Sequence, residues 1–459
     1  MRFSDEANTQ YRFKDMETLT DDLEQLAELI QHHRENQQPR LNTLQEYYKG
    51  NNEGISLYDR RREEHMADNR ATHNFAKYVS QFIQGYMVGI PLKTTYPDEK
   101  VEEQIRDLNR ENDADEHNSE LVLNQSIYGR AYEMVYRGSD DVTKFVVLDP
   151  LHTFVIYDET VECKPIGAIR YLGRQYKDEI DVYVYTGDQI LEYEMDESGE
   201  LEYKEESSHF FNGVPIIEYQ NNQFRQGDFE DVLSLIDLYD AAQSDTANYM
   251  QDLNDAMLKI VGNLDIDVEE AQAMKEANIL MLQTETGADG RTQSADADYI
   301  YKQYDVSGTE AYKDRVFNNI LLFTSIPNLL DDGKQTGVAS GEALKMKLFA
   351  LSQKRATKER LFKKALRDRY RLINNMMNMA SEGSFDVNDI TISFTENLPS
   401  MVDRELEWFS KMGGQLSQKT MLSQLSFVDN PDEELELIKE EDSLNKDIFD
   451  FNEEVAEDD

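Results

Sequence analysis

Apolar positions along the chain recur at two periods, and the switch between them divides it. Leu19, Leu23, Leu26 and Ile30 fall at steps of four, three and four with acids between them, which predicts an amphipathic helix from Leu19 to Asn36. Pro39 ends or offsets that helix, and LNTLQEYYKG (41–50) reads as a short second one with a glycine stop. NFAKYVSQFIQGYMVG (74–89) is apolar at helical spacing and halts at Gly89-Ile90-Pro91. Between Tyr128 and Tyr219 the period becomes two. RAYEMVY, KFVVLDP, HTFVIYD, IGAIRYL, DVYVYTG, ILEYEMD, ELEYKEE and VPIIEY are separated by Gly, Pro, Asp and Ser turns. They predict an antiparallel, mostly meandering sheet with helices before and after it.

From about Asp228 to Val261 the helical period returns. Leu235, Tyr239, Ala242, Thr246, Tyr249, Leu253, Ala256 and Ile260 alternate steps of four and three without a Gly or Pro, and Gly262-Asn263 closes the run. Some 34 residues at ~1.5 Å each span roughly 50 Å, a length that suits packing against neighbours in an assembly. Residues 263–306 read as a small α/β insertion. A helix is expected around Glu269–Ala277, strands at Ile279–Gln283 and Tyr299–Tyr304, and a polar tip at 284–298. A helix over Thr309–Thr324 returns. After the glycine-rich stretch SIPNLLDDGKQTGVASGEALK (325–345), the segment Gly341–Ala380 is helical, DITISF (389–394) is a strand, and Asp403–Lys411 and Gln418–Leu425 are helical again. The fold class is α+β.

Charge changes this picture most. The 459 residues carry 92 acids against 47 Lys and Arg, a formal net charge of −45, with 39% hydrophobic residues and 10% aromatics. The mean hydropathy is −0.70. The core is sufficient for folding, but the surface is polar and of one sign. Tight DNA binding is disfavoured, because affinity for phosphates comes from Lys and Arg releasing counterions. The last 31 residues hold 15 acids and two lysines, which reads as a frayed helix passing into an acidic tail. The opposite asymmetry lies at Lys345–Arg371, where eleven Lys and Arg face only Glu359 and Asp368. Either this helix touches DNA, or it lies against acidic neighbours and lowers self-repulsion in an oligomer, which is the favoured reading. No signal peptide or apolar run of membrane-spanning length is apparent, and the expectation is a soluble protein of the cytoplasm.

Candidate chemistry is sparse. A phosphate loop needs G-x-x-x-x-G-K-[ST], but Lys334 follows the first glycine of 325–345, no lysine follows Gly337, and Asp331-Asp332 would repel phosphate. His32-His33 point apart on a helix, and His65 and His73 lack an H-x-x-x-H frame. Cys163 is the one cysteine, which excludes a disulfide framework and a cysteine zinc site. Carboxylate pairs such as Asp252 and Asp255 are expected by chance among 92 acids, and no G-x-S-x-G occurs. No catalytic residue, cofactor or metal is assigned.

Several segments nevertheless carry a likeness. ADNRATHNFAKYVSQFIQGYMVGIP (67–91), NQSIYGRAYEMVY (124–136), LDPLHTFVIYDET (148–160) and, above all, 214–263 with its LIDLYDAAQSDTANYMQDLNDAM resemble the portal proteins of tailed bacteriophages of Gram-positive hosts, the siphophage head-to-tail connectors. YIYKQYDVSGTEAYKDRVFNNI (299–320) and SGEALKMKLFAL (340–351) continue the likeness, which covers roughly residues 30–400.

The resemblance implies a portal fold: wing 1–235, stem helix 236–262, clip 263–306, second stem helix 307–326, tunnel loop 327–340, basic helix and return strand 341–400, and crown with acidic tail 401–459. It implies a dodecameric ring at one capsid vertex, assembled in the host cytoplasm, through which double-stranded DNA is packaged and ejected. Implied partners are the terminase large subunit, head-completion or adaptor proteins, and the major capsid and scaffolding proteins, with no membrane and no ATPase of its own. Asn328, Lys334, Gln335 and Thr336 would face the DNA. Thr286, Asp289, Arg291 and Gln293 would form the clip tip that meets motor or adaptor. Lys354, Lys358, Lys363 and Arg367 would lie on the inter-subunit basic helix. The alternatives are a metal-dependent capsid-associated nuclease and a non-ring adaptor or scaffold protein.

Overall fold

The computed structural model describes residues 3–56, 67–174, 179–252, 257–262, 279–283, 296–300, 305–328 and 346–395, and short pieces between 409 and 439. The chain divides into two units, 1–337 with 346–396, and 338–345 with 397–459. In the second unit the described elements include helical residues at 409–411, a short helix at Gln418–Leu422 and a helical stretch at 434–439.

The larger unit opens with helices α1 (Met16–Asp21), α2 (Leu23–His32), α3 (Gln38–Lys49), α4 (Glu53–Ser56), α5 (Phe75–Val88), α6 (Glu99–Glu111) and α7 (Ala114–Tyr128). Asp22 caps α2 by accepting from the Gln25 amide at 3.1 Å, and Asn74 caps α5 through Lys77 at 3.0 Å. Pro39 offsets the first helical run without ending it. A wide π-helical turn over His33–Gln37 joins α2 to α3, with Pro39 in the first turn of α3. The turn absorbs the missing N–H, so the path stays helical until Gly50 stops it at φ 92°.

All eight period-two runs are strands, but they build two sheets instead of one. With β1 (Tyr11–Phe13), β2 (Lys93–Thr95), β3 (Arg130–Arg137), β4 (Thr143–Leu148), β5 (Thr153–Asp158), β6 (Pro165–Gly173), β7 (Ile180–Tyr185), β8 (Gln189–Met195), β9 (Leu201–Ser208) and β10 (Ile216–Gln220), the orders are β1-β5-β6-β7-β8-β9 and β10-β3-β4. Strand β1 joins β5 in parallel, and the other pairs are antiparallel. Tyr132, Leu148, Val155, Tyr157, Tyr185 and Ile216 form a core between the sheets. One face of the six-stranded sheet is covered by α1 and α2, through Leu19, Leu26 and Ile30 against Phe154, Ile169 and Val182. Gly129 makes the turn from α7 into β3. It has φ 80°, and a Cβ there would lie 2.1 Å from the Arg225 carbonyl oxygen, so only glycine fits.

Next come α8 (Leu233–Asp252), strands β11 (Met257–Gly262), β12 (Ile279–Gln283) and β13 (Asp296–Ile300), α9 (Val306–Thr324), α10 (Phe349–Ala380) and β14 (Thr391–Ser393), which pairs with β2. The helix expected to run through Val261 corrects here. Residues 257–262 are the central strand of a three-stranded sheet, parallel to β12 and antiparallel to β13. A short run such as MLKIV satisfies helical spacing and strand preference equally, and two pairing neighbours decide for the strand. The strand expected at Tyr299–Tyr304 is described over Asp296–Ile300, and 301–304 lie outside the described residues. The helix expected at Glu269–Ala277 lies outside the described residues.

Candidate functional site

Helices α8 and α9 flank the small sheet in sequence and pack on each other. Lys313 of α9, itself buried, donates to Gln243 of α8 at 2.8 Å. Phe317 of α9 meets Tyr239 of α8 and Phe75 of α5 at ring-centroid distances of 6.4 and 5.8 Å. Asp305 caps the start of α9 through the Gly308 amide at 2.9 Å, and Ser325 ends it in the left-handed conformation. Large apolar side chains point outward from this pair. Leu322 and Phe323 are 68% and 62% exposed, and Leu238, Met250 and Tyr312 are exposed as well.

The inward face of α8 is unusual. Its buried positions are Leu233, Ile236, Asp240, Ser244 and Asn248, so the second half is polar, while Leu235, Tyr239 and Thr246 of the expected stripe are only half-buried. The polar side chains hold an extended strap. The Asn69 amide donates to Asn248 Oδ1 (2.6 Å), Ala71 to Ser244 Oγ (2.9 Å) and His73 to Asp240 Oδ1 (2.9 Å). Two residues of extended chain advance about 6.6 Å and four helical residues about 6 Å, so every second strap amide meets every fourth helix side chain. The helix presents acceptors much as a strand edge would. Asp240 also accepts from Asn52 and from His73 Nδ1 (2.8 Å). Ser244→Ala should leave the Ala71 amide without its acceptor. The expected result is a stability loss of about 1 kcal/mol and faster hydrogen exchange at Ala71, read by mass spectrometry or NMR.

Helix α10 is fixed to the rest by two buried ionic nodes on one face. Lys358 reaches Asp228 at 2.6 Å, with side chains 2% and 1% exposed, and Lys354 reaches it at 3.0 Å. Lys354 also donates to the Thr324 carbonyl at the end of α9 at 3.2 Å, so this node joins the approach to α8, the end of α9 and α10. Burial alone would raise the Asp228 carboxyl, but the two lysines hold it well below the usual range. Eleven residues on, about 16 Å along the helix, lies Arg369. It pairs with Glu133 of β3 and donates to Asn118 at 3.0 Å, and both members of the pair are fully buried. His117 Nε2 lies 2.7 Å from the same carboxylate, and the Arg369 guanidinium sits 4.4 Å from the Phe145 ring centroid. Arg355 donates to the Phe394 carbonyl at 3.1 Å.

The basic helix is thus tied in part within its own chain. Lys354 and Lys358, expected to meet other subunits, have their acid within the chain. Lys363 pairs with Glu359 on its own helix at 2.6 Å, and Arg367 is exposed. The same economy holds elsewhere. Among the described residues Arg40, Arg130, Arg225, Lys313, Arg355, Lys358 and Arg369 are buried, as are Glu133, Asp228, Asp240 and the Glu218 side chain that meets Arg225, in a chain with about twice as many acids as bases. Of the loop residues, Asn328 donates to Asn318 Oδ1 at 3.1 Å, just past α9. Lys334, Gln335, Thr336, Thr286, Asp289, Arg291 and Gln293 lie outside the described residues. Glu133, Asp228 and the line Asp240, Ser244, Asn248 were missed, although the last has a sequence signal in polar residues at strict four-residue steps. Among the described residues no group of three or more His, Cys, Asp or Glu is placed to hold a metal, and no helix is long and apolar enough to cross a membrane.

Comparison with known proteins bears on the whole of this frame. The chain is 25% identical over 448 residues to the portal protein of Clostridium phage phiCD119, covering 92% of this chain and 96% of that one. It is 24% identical over 398 residues to the portal protein of Bacillus phage SPP1, covering 82% and 76%. Among solved structures it is similar to a chain in the neck of an empty GTA particle, with a TM-score of 0.43, 14% identity, and 84% and 93% covered. The family described as phage portal protein, SPP1 Gp6-like, matches residues 27–447, which take in the strap, both ionic nodes and the helix pair with its inserted sheet. The chain belongs to that family of phage portal proteins.

Proposed function

We propose that the protein is the subunit of a ring at one capsid vertex, through which double-stranded DNA enters and leaves the head. Family membership gives the capsid portal role, and the assignment of parts rests on the order of elements. In this reading α8 and α9 are the stem, and β11, β12 and β13 belong to the clip, which meets the terminase large subunit and later the head-completion proteins. Residues 327–340 form the tunnel loop, with Lys334, Gln335 and Thr336 giving sparse, exchangeable phosphate contacts between acidic walls. Helix α10 leads back to the wing sheets, and 401–459 form the crown.

The observation that carries this reading is the outward apolar face of the helix pair. Leu322 and Phe323, with Leu238 and Met250, are left in water by a single copy and are covered when copies stand side by side. Negative-stain imaging of the purified protein should show closed rings with a central hole. A homogeneous monomer across low and high salt would overturn the proposal. Leu322→Glu with Phe323→Glu should shift the population to monomers while leaving the circular dichroism spectrum unchanged.

A further inference from the structure

Strand β9 ends the six-stranded sheet, and along Glu202–Ser208 every residue is exposed. Natural edges of this length are usually blunted or covered, since their free backbone groups template another strand. Here the single irregularity works differently. The register shift beside Glu192 and Tyr193 makes Lys204 the extra residue, because Tyr193 pairs with Tyr203 and Glu192 with Glu205. A bulge of one residue moves the following side chain to the opposite face. Glu205 therefore joins Glu202 on the face that also carries Glu192 and Glu194.

Four carboxylates thus stand as two directly opposed like-charge pairs, an arrangement that costs the sheet stability. Lys204 meets Glu202 at 2.8 Å and Arg174 meets Glu194 at 2.8 Å. Among the described residues Glu192 and Glu205 have no cationic partner. At the β8–β9 turn Asp196 and Glu197 line a cleft of about 810 Å³ together with Glu24, Glu28, His32 and Arg34.

We propose that β9 is a docking edge for an extended segment of a different protein, one that carries Lys or Arg at alternate positions. The segment adds as a seventh strand through the free backbone groups of β9, and its cations meet Glu192, Glu202 and Glu205. A second copy of β9 is a poor occupant, since it would set glutamate against glutamate in a chain of net charge −45.

The test uses the full-length protein and a labelled twelve-residue peptide with Lys at alternate positions and Val or Thr between. Binding is followed by fluorescence anisotropy and by hydrogen exchange of 201–208. The peptide should bind and slow exchange along β9. The E202K/E205K double variant, whose circular dichroism should match the parent, should weaken binding at least tenfold. A peptide of the same charge with alternate backbone amides N-methylated should not bind. Four results would overturn the proposal: no binding, equal binding by the N-methylated peptide, binding indifferent to E202K/E205K, or no change in β9 exchange. Slowed exchange of 201–208 on ring formation without peptide would assign the edge to a second copy, and would also overturn it.

Discussion

Glu133→Ala is expected to destabilise the protein by about 3–5 kcal/mol, because it strands the Arg369 guanidinium in the core without a counter-charge. Arg369 is fully buried, donates to Glu133 through two nitrogens, and lies between Phe145 and Tyr219, where water cannot replace the carboxylate. His117 and Tyr219 lose an acceptor as well. A denaturant midpoint measurement reads the loss, and Glu133→Ala with Arg369→Met should recover part of it, since removing both charges leaves neither desolvated. A change below 1 kcal/mol would mean that the pair contributes little.

The same node sets an acid limit. Burial would raise the Glu133 carboxyl, but Arg369 and His117 outweigh it and hold it at about 2, below its ordinary 4.5. A carboxyl depressed on folding contributes stability that is complete above its unfolded value and is lost as pH falls through the folded one. The Glu133 contribution should therefore be intact above pH 4.5, decline below it, and be gone near pH 2. In Glu133→Ala that part of the acid transition should be missing.

Asp228→Asn should act on a different scale of structure. It removes the charge that, among the described residues, compensates Lys358, which is 2% exposed, and loosens Lys354, which ties α10 to the end of α9. The expected cost is about 3 kcal/mol, and hydrogen exchange should rise at the start of α10, the end of α9 and the approach to α8 together. Pairing Asp228→Leu with Lys358→Met should restore much of the stability. If only the start of α10 loosens in Asp228→Asn, the node does not join the three elements.

Much of the frame was legible because local chemistry and tertiary contacts agree there. Alternation located all eight central strands, and Asn74 and Gly50 bounded their helices as capping rules require. Where reading failed, a tertiary partner chose between local options of similar cost. Met257–Gly262 became a strand because β12 and β13 flank it. One meander became two sheets because the strands on either side of Asp149–His152 pair apart, β4 with β3 and β5 with β6, which alternation does not encode. The site was harder still. Charge counting marked the basic helix but could not reveal that Lys358 and Arg369 reach acids 130 and 236 residues away. On α8, attention to apolar steps hid the polar line Asp240, Ser244, Asn248, whose partner is the strap at 69–73.

The burial of seven cations among the described residues has a consequence for how the molecule meets its solvent. Positive charge is withdrawn from the surface, so ions at the surface meet mostly carboxylates. Each subunit carries a dense cation cloud, and copies brought side by side must merge these clouds within about 10 Å at 0.1 M salt. Gathering copies then becomes an osmotic problem as well as one of fit, and the ionic medium acts as an unlisted subunit of whatever the copies build.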